Sequence, residues 1–311
     1  MASTRALVTV LSFLSYVAAQ SEESEPPKRG KERYGGPLGY YPTVAPAIIF
    51  CALYALVAVH GTWMMFRIRG KYMGTLVVSG YIYALGLILR IPYRTNTTSL
   101  GLYLIMNLCV VLSPCGFIAT VYILLGRLAR YLQADDLMLI RPQIITKVYV
   151  TSDVVTLFVQ AAGGSLAAAK NETLTKLSTK IFLAGLILQL ISFISYCIVF
   201  AVFLYRVKTW RAPVWHEKAD NGLLSHWKGL VGIMMVSCLG IIVRCVYRTV
   251  EGSEGFSGYL LTHEVYFYVL DCLPLFIAIA VYTIIWPPAI LNNLYTSPGH
   301  EMVAKDSVGS P

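Results

Sequence analysis

Charged residues are scarce in this chain: 13% of its 311 residues, where an ordinary soluble domain carries about 25%. Apolar residues make up 57% in their place, which is the composition of an integral membrane protein. The net charge of +9 does not form one basic surface, because the lysines and arginines sit in short loops between apolar runs, so no nucleic-acid partner is expected. No G-x-x-x-x-G-K-S/T phosphate loop occurs, which excludes a built-in P-loop ATPase and leaves downhill, ion-coupled or partner-driven movement for any transport. None of the seven cysteines (Cys51, Cys109, Cys115, Cys197, Cys238, Cys245, Cys272) lies outside an apolar run, so neither a disulfide framework nor a thiolate zinc site is expected. The last long run, Val265 to Ile285, has no lysine to carry a retinal Schiff base. The third run lacks a cysteine at its start and a D/E-R-Y at its foot, and the seventh lacks N-P-x-x-Y, so a rhodopsin-like receptor is excluded too. His60, Asp153, His263 and Asp271 are the residues from which an intramembrane metal site would be built, but His60 and His263 should lie near opposite membrane faces. No metal and no cofactor is expected.

Seven apolar runs are present, near 43–66, 72–91, 100–126, 148–169, 181–205, 229–250 and 262–286. Each reaches the ~20 residues that a helix needs to cross the hydrocarbon, and none shows the alternation of a lipid-facing barrel strand. The fold expected is therefore all-α: a polytopic membrane domain over 43–287. Residues 1–19 have an early Arg5, an apolar middle and a Val17-Ala18-Ala19 end, the pattern of a cleaved secretory signal. A polar segment, 20–42, follows it, and a short polar tail, 288–311, closes the chain.

Orientation follows from the basic residues. The loops after the first, third and fifth runs carry twelve lysines and arginines, from Arg67 to Lys228, against five at the opposite ends. The N-terminus is expected outside and the C-terminus in the cytoplasm, in agreement with a signal peptide. Two N-x-S/T sequons, at Asn96 and Asn171, fall in loops that this topology puts outside, where glycosylation takes place. The loop from Tyr205 to Lys228 holds Trp210, Trp215 and Trp227 among basic residues and reads as an interfacial segment.

Ionisable residues inside lipid are costly and are kept where they pair or function. Asp271 is about nine residues, or ~14 Å, into its run, near mid-membrane. Asp153 lies ~8 Å from the cytoplasmic edge and Arg244 about as far from the outer one, while Arg248 and Glu264 should sit at the interface. Arg244 and Arg248 share a helix face at i,i+4, as do Tyr247 and Glu251. Glu264, Tyr268 and Asp271 line the facing helix, which a short connector, Glu251 to Gly258, brings back antiparallel. Gln160 precedes Gly163-Gly164 in the fourth run, Pro114 interrupts the third, and Pro274 follows Asp271. Two readings are open: an ion-pair network that locks helices, or a polar path and headgroup site through Asp153, Gln160, Arg244, Arg248, Glu251, Glu264, Tyr268 and Asp271.

These residues also carry a family resemblance. Ser152-Asp153-Val154-Val155, Gln160 to Gly164, Gly185-Leu186 with Gln189, and above all Arg244-Cys245-Val246-Tyr247-Arg248 with Glu251, Gly255, Gly258, His263-Glu264, Tyr266 to Tyr268 and Asp271 are similar to the fungal lipid-translocating exporter family of RTA-like proteins. Weaker pieces are Tyr41 with Val44-Ala45, His60, Gly86 with Arg90, Ser113-Pro114, and Tyr122 with Leu125 to Arg127, so the resemblance runs from Tyr41 to Pro287. Two positions depart from the family pattern: Tyr83 stands where an acidic residue is usual, and Trp286 stands where a histidine precedes the closing proline. The resemblance implies a seven-helix fungal membrane protein, often at the plasma membrane, that exports or flips sphingoid-base-like lipids or lipophilic toxic compounds. Its partners would be membrane lipids or amphiphilic small molecules. A cationic headgroup would pair with Asp271 and Asp153. A seven-helix sensor of lipid stress, with the Tyr205–Lys228 loop as its output surface, is the alternative; a lipid-modifying hydrolase ranks third, and no enzyme activity is expected.

Overall fold

The computed structural model describes residues 42–95, 99–139, 141–166, 172–210, 226–254 and 258–291. The expected signal segment 1–19, the polar segment that follows it up to residue 41, Asn96, Asn171, Trp215 and the tail beyond Leu291 lie outside the described residues. Among the described residues there is no strand. Seven helices are long and apolar enough to cross a membrane: Val44–Arg67, Lys71–Arg94, Gly101–Tyr131, Ile144–Gly164, Leu177–Trp210, Trp227–Glu254 and Glu264–Leu291, the first to seventh spans. The chain is an all-α, multi-pass membrane protein. Helix is what lipid dictates, since a backbone that meets no water must pair its N–H and C=O groups within itself.

Each span packs on the next, and the seventh returns to the first, closing a ring. The third span touches the second, fourth and sixth and is the most enclosed. Burial is inverted relative to a soluble protein. Phe66, Phe158 and Ile284 are more than 70% exposed, whereas Asp153, Gln160, Arg244 and Asp271 are buried. Lipid tails are as apolar as leucine, so helices here associate through small residues and internal hydrogen bonds. The fourth and fifth spans show both. A Cβ on Gly163 would stand 2.7 Å from the Phe182 backbone nitrogen, and Ser178 donates to the Gly163 carbonyl at 2.7 Å.

Several helices differ from the runs read in the sequence. The fifth extends from Glu172 to Trp210, so Trp210 ends a helix where a loop was expected. The sixth continues through Glu254, which makes the first four residues of the expected connector helical. The second breaks after Ile88 and resumes at Arg90–Thr95. Pro92 explains that break, because it has no N–H for the Ile88 carbonyl. The seventh span follows a short helix, Tyr259–Thr262, and is itself segmented: Glu264–Tyr266, a π-helical turn Phe267–Cys272, then Leu273–Ile284 and Pro287–Leu291. Pro274 forbids the ordinary bond to Leu270, and the wider turn absorbs the lost geometry. Tyr54 of the first span donates to the Cys272 carbonyl at 2.8 Å, satisfying one group of this turn from a neighbour.

Candidate functional site

The polar interior starts from a proline. Pro114 lacks an amide hydrogen, so the carbonyl four residues back, on Val110, has no helical partner. Arg244 of the sixth span donates to that carbonyl at 2.9 Å. The same guanidinium forms an ion pair with Asp271 of the seventh span, and so ties three spans together. Asp271 is fully buried and takes a second arginine, Arg248, at 2.5 Å. Arg248, expected at the membrane interface, also holds Glu251 at 2.9 Å, one helical turn away. Tyr247 donates to the other Glu251 oxygen at 3.2 Å. Two guanidiniums, Arg244 and Arg248, thus balance two carboxylates, Asp271 and Glu251, within the protein.

Glu264 heads a separate group. One of its oxygens accepts from the backbone nitrogen and hydroxyl of Thr43, at 2.8 and 2.7 Å, at the start of the first span. The other accepts from Arg90 and from Tyr268, each at 3.2 Å. A carboxylate at a helix N-terminus faces the positive end of the helix dipole. Glu264 thus fastens the first, second and seventh spans where the ring closes. Arg90 in turn lies 4.2 Å from the Phe267 ring. Tyr83, the first departure from the family pattern, is fully buried beside this network. Its hydroxyl is 3.2 Å from Cys272 Sγ and its ring 5.9 Å from the Arg244 guanidinium. Trp286, the second, packs over Gly61 and next to Gly70 at the other end of the bundle.

The fourth span contributes the third group. Asp153, Thr156, Gln160 and Gly163 recur at helical spacing and are the buried face of that helix. Asp153 Oδ2 accepts from the Tyr122 hydroxyl at 3.1 Å, while Oδ1 has no hydrogen-bond partner. Gln160 donates to Gln189 of the fifth span at 2.8 Å, and Gln189 donates to Cys115 Sγ at 3.4 Å. The Gln160 oxygen is likewise without a partner. A cavity of about 30 Å³ lies between Gln160 and Gln189 on one side and Arg244 and Arg248 on the other, walled by Pro114 and Leu186. It therefore joins the arginine cluster to the fourth-span face. Among the described residues no three His, Cys, Asp or Glu side chains converge on a common metal position.

The sequence profile of RTA1-like proteins matches residues 76–293, which covers all three groups except Thr43. The chain belongs to the RTA1-like family. It is 30% identical to the protein RTM1 of Saccharomyces cerevisiae over 68% of this chain and 65% of that protein. To the yeast protein RTA1 it is 26% identical over 86% of this chain and 89% of the other. To the yeast sphingoid long-chain base transporter RSB1 it is 27% identical, over 79% and 72% of the two chains. The match thus spans slightly less than two thirds of RTM1. No solved structure matches the chain.

Within this RTA1-like protein the eight candidate residues divide by environment. Arg244, Arg248, Glu251 and Asp271 form one matched cluster, and Glu264 with Tyr268 forms another around Arg90. Asp153 and Gln160 stand apart with acceptor atoms to spare. Asp271, expected with Asp153 to meet a cationic headgroup, is enclosed by two arginines and has no exposed surface. Sequence reasoning missed the Val110 carbonyl, though Pro114 signalled it: any proline inside a helix frees the carbonyl four residues earlier. It also missed Tyr122 as the partner of Asp153, for which spacing along one helix holds no signal.

Proposed function

We propose that this chain translocates an amphiphilic lipid, sphingoid-base-like, or a lipophilic toxic compound across the membrane it spans, as an exporter or flippase. The observation that carries this reading is the buried fourth-span face, on which Asp153 and Gln160 hold unpartnered acceptors inside a ring whose outer surface is apolar. Intramembrane ionisable groups of this kind mark substrate and ion routes. The names of relatives support the reading. One is a sphingoid long-chain base transporter, and another, 30% identical over 65% of this chain, is protoporphyrin uptake protein 1, both of Saccharomyces cerevisiae. Both ligands named there are amphiphiles. The cavity, at about 30 Å³, has room for a water-sized group and not for an acyl chain, so the tail of an amphiphile stays in lipid. Asp153, not Asp271, is the carboxylate for a cationic headgroup.

In this reading the protein carries out no catalytic chemistry and sits in the plasma membrane. Its N-terminus is outside, residues 1–19 are a cleaved signal, Asn96 and Asn171 face the exterior, and the tail after Pro288 is cytoplasmic. Loss of an endoglycosidase-sensitive mobility shift in Asn171→Gln checks the orientation. The function is tested with purified protein in phosphatidylcholine vesicles, following dye-labelled long-chain amines and a porphyrin. Movement above empty vesicles is expected. Its absence for every amphiphile tried would leave the sensor reading in its place.

A further inference from the structure

We propose that Asp153 is a proton-exchange site and that the protein moves cationic amphiphiles in exchange for protons. The inference rests on the translocase reading and adds a driving force to it, in a chain that has no P-loop of its own.

It follows from the distribution of charge in the interior. Arg90, Arg244 and Arg248 are matched by Glu264, Asp271 and Glu251, so three cations face three anions. Among the described residues Asp153 is the buried carboxyl left over. It is 2% exposed and, among those residues, pairs with no lysine, arginine or histidine, and its one side-chain donor is the neutral Tyr122 hydroxyl. The titratable groups in electrostatic reach of it are Tyr122 and Cys115 on the third span and Cys245 on the sixth. The rings of Tyr149 on its own span and Tyr196 on the fifth pack on Tyr122, at 5.3 and 4.5 Å. None of these groups supplies a positive charge.

An ionised carboxylate in such an interior carries a desolvation cost that the single Tyr122 hydrogen bond offsets only in part. One positive charge removes that cost, and two sources are chemically available: a proton on the carboxyl itself, or the ammonium of a lipid headgroup. They exclude one another at a single carboxyl. The step balances as follows: the Asp153 carboxylic acid meets an R–NH₃⁺ headgroup, the O–H bond breaks, the proton passes to water, and a carboxylate–ammonium pair remains. Release at the other face reverses it, with water returning one proton. Gln160, seven residues along and on the same helix face, is ~10 Å further by helical rise. Its unpartnered oxygen is a second acceptor beside the cavity, suited to a headgroup hydroxyl. Both free acceptors ask for donors, which an amino-alcohol headgroup supplies; Arg244 and Arg248 line the cavity beside Gln160, so the ammonium belongs at Asp153 and the hydroxyl at Gln160.

The test uses the full-length protein in phosphatidylcholine vesicles loaded with a pH-sensitive dye, with a long-chain primary amine and its neutral N-acetylated counterpart as probes. Wild type is expected to release one proton for each amine moved and none for the neutral probe. Its apparent affinity for the amine should rise as pH rises, approaching about tenfold per pH unit where the carboxyl still holds its proton. Asp153→Asn should lose the proton flux and the pH dependence together. Amine movement in wild type with no proton flux overturns the exchange and leaves translocation standing. No movement of either probe overturns both. Proton flux that persists in Asp153→Asn overturns the assignment to Asp153. Should that variant not fold, Asp153→Glu, which keeps the carboxyl, is expected to retain the flux, where Tyr122→Phe, which removes the one side-chain donor to it, shifts its pH dependence.

Discussion

Arg244 occupies the Val110 carbonyl that Pro114 leaves without an amide, at 2.9 Å, and also reaches Asp271 on the neighbouring seventh span. A helix defect in the third span thus becomes the anchor of an ion pair between the sixth and the seventh. The seventh span has its own defect at the same level, where Pro274 follows a π-helical turn that contains Asp271. Gly240 of the sixth span lets the two helices approach there, since a Cβ at that position would stand 2.4 Å from the Pro274 carbonyl oxygen.

Pro114→Ala returns an amide hydrogen to Val110. The helix gains up to about 3 kcal/mol by losing its interior proline, while Arg244 loses its hold on the third span. The expected outcome is a higher melting temperature in detergent together with slower amphiphile movement in vesicles. A variant that moves amphiphiles as fast as wild type would show that the freed carbonyl is not used in function.

Asp271→Asn and Asp153→Asn are the same chemical change with opposite expected consequences for folding. The first leaves buried Arg244 without a counter-charge and takes from Arg248 one of its two carboxylates, at about 3–5 kcal/mol. The second leaves no cation unmatched. Size-exclusion profiles and melting curves should show aggregation or a large loss of stability for Asp271→Asn, and near wild-type behaviour for Asp153→Asn.

Glu264→Gln tests the fastening of the ring. It removes the charge that holds Arg90 and caps the first span at Thr43, bonds of a kind that contribute about 1.5–3 kcal/mol. Hydrogen exchange at the amides of Thr43, Val44, Ala45 and Ala47 should speed up, with little change in the fourth and fifth spans.

Gly163→Ala and Gly164→Ala separate close packing from glycine content. At Gly163 the added methyl meets the Phe182 backbone at 2.7 Å, whereas at Gly164 nothing lies within 4 Å. Overpacking of this kind costs about 1–3 kcal/mol, so the melting temperature should fall for Gly163→Ala and stay level for Gly164→Ala.

Seven spans and an all-helical fold could be read from the order of residues alone, because run length and apolarity are local quantities and lipid leaves helix as the one continuous solution. The eight candidate residues were also visible there, since ionisable and amide groups in apolar runs stand out by composition. Their partners were not. Spacing along one helix fixes which residues share its face, but which neighbour that face meets depends on the rotation of each span. Pro274 alters that rotation, because one extra residue in the π-helical turn shifts the face by about 100°. Packing therefore assigned Arg244 and Arg248 to Asp271 and Arg90 to Glu264, and it left Asp153 facing a tyrosine. Pairing in a helical ring is a property of helices together, and charge balance closes only across their interfaces.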